Sequence, residues 1–452
     1  MVEKLAHTVS VDLNYLSNQK CDLVVVGSGY VGLPTAALFA QAGFNVTALD
    51  IRESIIESIR KGQSPIEEPG LETIISKTVK SGQLKAELFT ENVFRDKNVI
   101  IITVQTPIGK DKKPDLSFLF NAVLKIGPEL QKGALVALCS TVPPGTVHGK
   151  IKPLLSKLSG LIPEEDFYLA YVPERIAPGA ALKEFVESPR LVGGIGPKST
   201  RTALAVFKFV CKNLLETDAS TAEISKTAEN TYRDINIAFA NQLALICEQH
   251  QADIIKVIAL ANTHPRVKIL QPGPGVGGPC LTKDPYLLIN GAAINSKNLV
   301  ETAREINDYM PLHIVDLLKE SLRCSGKILK DSKITILGTA YKANVDDSRF
   351  SPAQPIIRQL LVESANVVVY DPYCVETFGA KQAESLIESS NSSDCLIIMT
   401  DHDEFKKLDL LLIKNSMNKN PSIIDAKRLL EPKKALIAGF AYYGVGYGQK
   451  KN

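Results

Sequence analysis

The run Val24-Val-Val-Gly27-Ser-Gly29-Tyr30-Val31-Gly32 constrains this chain more than any other segment. A β-branched run that ends in Gly-x-Gly-x-x-Gly reads as the end of a buried strand and the start of a helix. Gly27 permits the tight turn, Gly29 lets the backbone approach a pyrophosphate, and Gly32 lets the helix pack on the strand. The helix N-terminus, reached through Tyr30 and Val31, offers N–H groups and a positive dipole end to phosphate charge. Asp50 closes the next apolar run. A carboxylate there accepts hydrogen bonds from ribose hydroxyls and repels a 2′-phosphate, so NAD is expected in preference to NADP. Neighbouring Arg52 softens that repulsion.

Leu23 to Leu49 holds no charged residue and is long enough to cross a bilayer. Gly27, Gly29, Gly32, Pro34 and Gly43 interrupt it, and a strand–turn–helix accounts for it better than a membrane span. Residues 1–20 are mixed polar and charged, without the apolar core of a secretory signal, and read as an N-terminal tail. The eight cysteines are scattered with no Cys-x-x-Cys pair, which fits reduced thiols and a cytoplasmic location. The six histidines form no ligand array, so no metal is expected. Lys and Arg number 52 against 49 Asp and Glu, without a dense basic run, so nucleic acid is not an expected partner.

Short β-branched runs alternate with amphipathic stretches after residue 20, the pattern of parallel βαβ units. Strands are expected at Asp22–Val26, Asn45–Leu49, Val99–Val104, Leu135–Ser140, Tyr168–Val172 and Arg190–Gly193, which makes 21–210 a dinucleotide-binding domain. From Thr221 to His250 neither Gly nor Pro occurs, and Ile224, Ala228, Ile235, Phe239, Leu243 and Ile246 recur at helical spacing. One helix of about 45 Å is expected there. With Val300–Leu322 it defines a helical central domain over 211–325, and long exposed helices of this kind suit a homodimer interface. Strands return at Lys333–Leu337, Asn366–Tyr370, Cys395–Met399 and Ser422–Asp425, giving a third domain over 326–452. The expected fold class is α/β, two Rossmann-like doubly wound domains joined by a helical central domain with one long helix. The third domain opens with Gly338-Thr-Ala-Tyr-Lys342, which lacks the fingerprint and should bind something other than a second dinucleotide.

Gln271-Pro-Gly-Pro-Gly-Val-Gly277-Gly-Pro-Cys280-Leu-Thr-Lys-Asp284 carries the most chemistry. Its glycines let backbone N–H groups close on a ligand and place a cysteine at the end of a flexible loop, with a carboxylate one turn on. A thiolate stabilised by a nearby cation attacks aldehydes. This segment alone leaves nucleophile and structural thiol both open. Lys226 and Asn230 stand one turn apart on the long helix, where they can stabilise an oxyanion together. A solvated helix face is the plainer reading of that pair taken alone.

Several further segments carry a resemblance. They are Glu223-Ile-Ser-Lys226-Thr-Ala-Glu-Asn230, Leu260-Ala-Asn-Thr-His264-Pro-Arg266-Val, Tyr171-Val-Pro-Glu174-Arg175-Ile-Ala-Pro-Gly179 and Tyr341-Lys342-Ala-Asn-Val-Asp346-Asp347-Ser-Arg349. From Asp22 to about Tyr447 the chain resembles the nucleotide-sugar 6-dehydrogenases, the UDP-glucose/GDP-mannose dehydrogenase superfamily. The His-Pro-Arg-Val segment resembles its UDP-N-acetyl-D-mannosamine branch most closely, and Glu174-Arg175 resembles the N-acetylhexosamine enzymes, where UDP-glucose enzymes carry Glu-Phe. The resemblance implies NAD-dependent, four-electron oxidation at C6 of a UDP-sugar through a Cys280 thiohemiacetal and thioester, giving a uronate for surface polysaccharide or glycoprotein glycan. It implies oxyanion stabilisation by Lys226 and Asn230, water activation by Asp284, and support of hydrolysis by Glu174. Thr106 and Thr141 would line the cofactor and water side. Glu174, Arg175, Lys226, Asn230, His264, Arg266, Gly277, Lys342 and Arg349 would contact the substrate, with His264 either orienting Arg266 or packing. Pro279, the Lys283-Asp284 ending and Phe350 depart from that branch, and the first two bear on the choice among UDP-N-acetylhexosamines and UDP-glucose.

Overall fold

A computed structural model describes residues 21–90, 93–293 and 297–448, so the expected tail over 1–20 lies outside the described residues. The chain forms two compact units. One holds the described residues up to Ala228 together with Tyr286–Gly291, and the other holds Glu229–Pro285 with the described residues from Ala292 onward.

The first unit is built on β1 (Asp22–Val26), β2 (Asn45–Asp50), β3 (Leu84–Leu88), β4 (Val99–Ile102), β5 (Leu135–Leu138), β6 (Tyr168–Tyr171), β7 (Arg190–Gly194) and β8 (Leu214–Asp218). Their order is β3-β2-β1-β4-β5-β6-β7-β8, and β6 and β7 pair antiparallel. Strands β1, β4 and β5 are apolar on both faces because both faces are covered. Successive side chains point to opposite sides. Val25, Ile101 and Ala137 therefore share one core with Phe39, Phe44 and Phe207, while Val24, Ile100 and Val136 share another with Leu119, Val123 and Leu155. The charge-free stretch Leu23–Leu49 is β1, the buried helix Gly32–Gln41 and most of β2. Among the described residues no helix is long and apolar enough to cross a membrane. β3 and β8 were not expected. Both lie at the sheet's edges, where Lys85, Glu87 and Glu216 are exposed and the apolar signal is halved. β8 also carries this sheet beyond the expected boundary at residue 210.

The second unit has a parallel sheet of β9 (Lys333–Leu337), β10 (Asn366–Tyr370), β11 (Lys381–Gln382), β12 (Cys395–Ile398), β13 (Ser422–Asp425) and β14 (Ala441–Gly444), in the order β11-β10-β9-β12-β13-β14. The long helix spans Ala219–Gln249 and the second one Leu299–Cys324, with Pro311 inside it. The division between the units falls within the long helix, after Ala228. The segment 211–325 does not form a compact unit of its own. Met310, Ile314, Leu318 and Leu322 share a single core with Ile334, Ile336 and Ile356, so burial of the helix face joins it to the sheet.

Candidate active site

In the first unit the sheet order reverses between β1 and β4, and the carboxyl ends of these strands face the place where open α/β sheets bind ligands. Gly27 has φ +97° and donates its N–H to Leu49 O at 2.8 Å, a turn that a side chain would strain. A Cβ at Gly32 would lie 1.7 Å from Gly27 O. A Cβ at Gly29 would meet nothing within 4 Å, so the space there is left for something other than protein. Val31 precedes the helix, no side chain caps it, and its first turn carries no acidic residue. Tyr30 is exposed beside it.

Asp50 is buried and accepts the Ser28 N–H at 3.0 Å on one oxygen and the Arg52 N–H and Nε at 3.0 and 3.1 Å on the other. Burial pushes its carboxyl up, and the hydrogen bonds from Arg52 and Ser28 outweigh that and hold it below the ordinary value. Arg52 thus fastens the acid in its charged form. Carboxylate lone pairs remain for a ribose. An open approach at Gly29, an uncapped helix start and an ionised Asp50 together fit NAD.

Thr106 and Thr141 follow β4 and β5, and Thr106 Oγ1 donates to Thr141 O at 2.5 Å. Glu174 follows β6, with Oε2 accepting the Ile176 N–H at 2.7 Å and Oε1 lying 3.6 Å from Lys226 Nζ. That pair is 13% and 6% exposed, enough enclosure for each charge to matter to the other. Arg175 turns to Pro189 O at 2.8 Å, a partner in the backbone of its own unit. Glu223 was not picked out as a site residue, yet it is fully buried one turn before Lys226 and accepts the N–H groups of Gly145 and Val147 at 2.7 and 2.8 Å. Burial pushes its carboxyl up to about 6 against the pull of those bonds. In the sequence Glu223 stands at the head of the segment that carries Lys226 and Asn230.

In the second unit Cys280 is exposed, and its carbonyl accepts the N–H groups of Lys283 and Asp284 at 3.1 and 2.9 Å. This turn sends the chain into the short helix Asp284–Ile289. Asp284 is fully buried, with Asn230 Nδ2 at 2.6 Å on one oxygen and Lys283 Nζ at 2.6 Å on the other. Asn230 and Asp284 are therefore brought together beside the cysteine turn, and Lys283 joins them.

The loop expected to be flexible is held. A Cβ at Gly277 would lie 2.6 Å from Tyr341 Cβ and one at Gly278 2.7 Å from the Tyr341 ring, so these glycines serve close packing. Gly278 N–H also donates to Arg349 O at 3.0 Å. Tyr341 belongs to the site's surroundings through its packing on these glycines, a role that its place in the sequence does not mark. Burial, then the charge of Asp347, pushes its hydroxyl up to about 12, which keeps it a neutral donor. Arg349 forms a two-point pair with Asp347 at 2.8 and 2.7 Å, and Lys342 is exposed. His264 and Arg266 are both exposed, and His264 Nδ1 accepts the Arg266 N–H at 3.3 Å, so His264 turns the backbone of Arg266 and does not pack.

Three family models match in succession, all of the UDP-glucose/GDP-mannose dehydrogenase family: the NAD binding domain over 21–211, the central domain over 220–309 and the UDP binding domain over 335–432. A UDP-N-acetyl-D-mannosamine dehydrogenase from Pyrococcus horikoshii is 40% identical over 94% of this chain and 99% of its own length. A solved structure of UDP-D-ManNAc dehydrogenase from the same organism superposes with TM-score 0.88 at 39% identity, covering 94% of this chain and 99% of that one. An NDP-N-acetyl-D-galactosaminuronic acid dehydrogenase from Ralstonia nicotianae is 38% identical over 85% of this chain and 92% of its own. Fold and dinucleotide cradle define an NAD-dependent oxidoreductase. More specifically, the chain belongs to the UDP-glucose/GDP-mannose dehydrogenase family and is a nucleotide-sugar dehydrogenase.

Proposed function

We propose that the protein oxidises C6 of UDP-N-acetyl-D-mannosamine to the uronate by a four-electron reaction. The observation that carries this reading is an exposed Cys280 on a held glycine loop whose turn leads straight into the buried Asn230–Asp284 pair. The similarity to the Pyrococcus horikoshii enzyme supports the sugar. NAD supplies the hydride acceptor for both oxidations. Cys280 Sγ adds to the C6 aldehyde and holds the carbon first as a thiohemiacetal and then as a thioester, so no free aldehyde escapes. Lys226 and Asn230 stabilise the oxygen as charge develops on it. Asp284 directs the water that cleaves the C–S bond, Glu174 supports that hydrolysis, and the thiolate is returned with the uronate. Overall one sugar, two NAD and one water give one uronate, two NADH and three protons.

Thr141, with Thr106 behind it, lines the cofactor side. Arg175, His264, Arg266, Gly277, Lys342 and Arg349 take the nucleotide sugar, with 326–452 as the UDP-sugar-binding domain and 21–210 as the NAD domain. The protein works in the cytoplasm as a homodimer joined through the long helix, whose exposed Tyr232, Phe239 and Ile246 form one apolar stripe. UDP-GlcNAc, UDP-GalNAc and UDP-glucose are the competing substrates, the second favoured by the Ralstonia relative. Turnover on the four sugars side by side, with NADH counted per sugar, tests the reading. The highest kcat/KM is expected on UDP-N-acetyl-D-mannosamine with two NADH per sugar, and a count of one overturns the thioester route.

A further inference from the structure

The loop that carries Cys280 is anchored at Gly273 by a polar contact in a place where apolar packing would serve. Asn241, on the long helix, accepts the Gly273 N–H at 2.9 Å and donates to Asn307 Oδ1 of the Leu299–Cys324 helix at 2.9 Å. Asn307 Nδ2 returns to the long helix, reaching Asp234 Oδ1 at 2.8 Å and Asp234 O at 3.1 Å. Arg304 Nη1 closes on the same Asp234 Oδ1 at 2.7 Å. These four side chains are 0 to 3% exposed.

Such a chain is a poor device for holding two helices together. Desolvation of Asp234 and Arg304 offsets their attraction, and well-packed apolar residues in their place would hold the pair at least as well. Asp234 Oδ2 has no hydrogen-bond partner among the described residues, which adds to the cost. Directional hydrogen bonds do fix register, and this chain ends on Gly273 N–H at the entry to the glycine loop. Asp234 also stands one turn after Asn230 on the long helix, so the same network ties the loop to the helix segment that holds Asp284.

We propose that Asn241 is a positioning residue, held through Asn307 by Asp234 and Arg304, that fixes the entry of the Cys280 loop and thereby sets Cys280 against the Asn230–Asp284 pair. The inference rests on Cys280 being the nucleophile. Two variants of the full-length enzyme test it, Asn241→Ala and the double exchange Asp234→Leu with Arg304→Leu. Iodoacetamide labelling is followed by peptide mass spectrometry, with exposed Cys324 as the internal reference, alongside kcat and KM. In both variants kcat is expected to fall on the order of tenfold to a hundredfold with the KM for NAD unchanged. The Cys280-to-Cys324 labelling ratio should shift by roughly threefold or more. The double variant should show these losses while melting at or above the wild-type temperature, which a merely structural network would not do. A folded double variant with wild-type kcat and labelling ratio overturns the proposal, also where Asn241→Ala does not fold. The labelling ratio needs no substrate, so it still decides this inference if the enzyme turns over none of the four sugars.

Discussion

Asn230 donates its side-chain amide to Asp284 across 2.6 Å, and Asp284 has no exposed surface. The carboxylate is fixed from one side by this neutral amide and from the other by Lys283 Nζ, also at 2.6 Å. Asp284→Asn preserves the shape and removes the carboxylate proposed as the base. Turnover should fall by about a hundredfold or more, the usual contribution of a placed general base. If the base acts on the thioester, a sugar adduct should accumulate on Cys280, visible as added mass in the intact protein. Loss of turnover without any adduct places Asp284 before the thioester.

Cys280→Ser separates binding from covalent chemistry. Cys280 is exposed, so the exchange should leave the melting temperature unchanged. NAD binding, followed by fluorescence titration, should also be unchanged, whereas uronate formation should be lost because an alkoxide leaves a tetrahedral carbon far less readily than a thiolate. Sustained formation of two NADH per sugar in this variant would remove the thioester from the reaction.

Gly29 and Gly32 give opposite expectations from the same substitution. A Cβ at Gly32 would sit 1.7 Å from Gly27 O and 2.5 Å from Thr103 Oγ1, so Gly32→Ala should cost on the order of 3 kcal/mol of stability. Gly29→Ala adds a methyl into open space, and the melting temperature should not move. It should raise the KM for NAD by roughly tenfold or more, equivalent to about 1.4 kcal/mol. Equal KM values in wild type and Gly29→Ala would mean that the pyrophosphate does not pass over this residue.

What was legible in the sequence is what local pattern encodes. The strand, turn and acid from Val24 to Asp50 lie within one βαβ unit, whose motif and spacing are local; the bond from Ser28 N–H to Asp50 that ties them together is seen only in the structure. The helix Ala219–Gln249 follows from a stretch free of Gly and Pro. Pairings between distant segments left no such trace. Nothing in the neighbourhood of Glu174 announces Lys226, and nothing around Asn241 announces Asn307 or Gly273. The glycine loop misled for a related reason. Glycine lowers the barrier to motion in an isolated chain, but at Gly277 and Gly278 the missing side chain is space that Tyr341 occupies. Edge strands β3 and β8 were lost because alternating charge in a half-exposed strand resembles a loop.

Acid should weaken the second unit through Asp371. Its Oδ2 accepts the N–H groups of Thr339 and Ala340 at 2.7 and 3.0 Å and faces His402 Nε2 at 3.1 Å, and its Oδ1 accepts those of Tyr373 and Cys374, both at 2.9 Å. Burial raises its pKa, and the bonds from His402 and the backbone outweigh this, holding it at about 2 against an ordinary 3.8. The folded value is depressed, so the ionised carboxylate stabilises the fold above the ordinary value and the gain is lost as pH falls toward 2. Its contribution at pH 7 is about 2 kcal/mol, and about half of that should be gone by pH 3. Urea titrations of wild type and Asp371→Asn at the two pH values check this. A difference between the proteins that does not shrink at pH 3 would show that shape, not charge, holds the Thr339–Ala340 turn.

Tyr232, Phe239 and Ile246 are 68%, 49% and 45% exposed and stand one heptad apart, so they share one stripe of the long helix. An apolar stripe of this length is costly to leave in water, and in the proposed homodimer a second copy of the same helix would cover it by a self-complementary contact. Light scattering on wild type should therefore give twice the chain mass of 49.2 kDa at micromolar concentration. Tyr232→Glu with Phe239→Glu places four charges at the centre of a two-fold interface, where like-charge apposition and desolvation cost several kcal/mol. The double variant should scatter as a single chain. Asn230 lies within one turn of Tyr232 on the same helix, so the monomer should also lose kcat while retaining the KM for NAD. A wild-type monomer, or a dimer indifferent to both charges, would move the interface away from this helix.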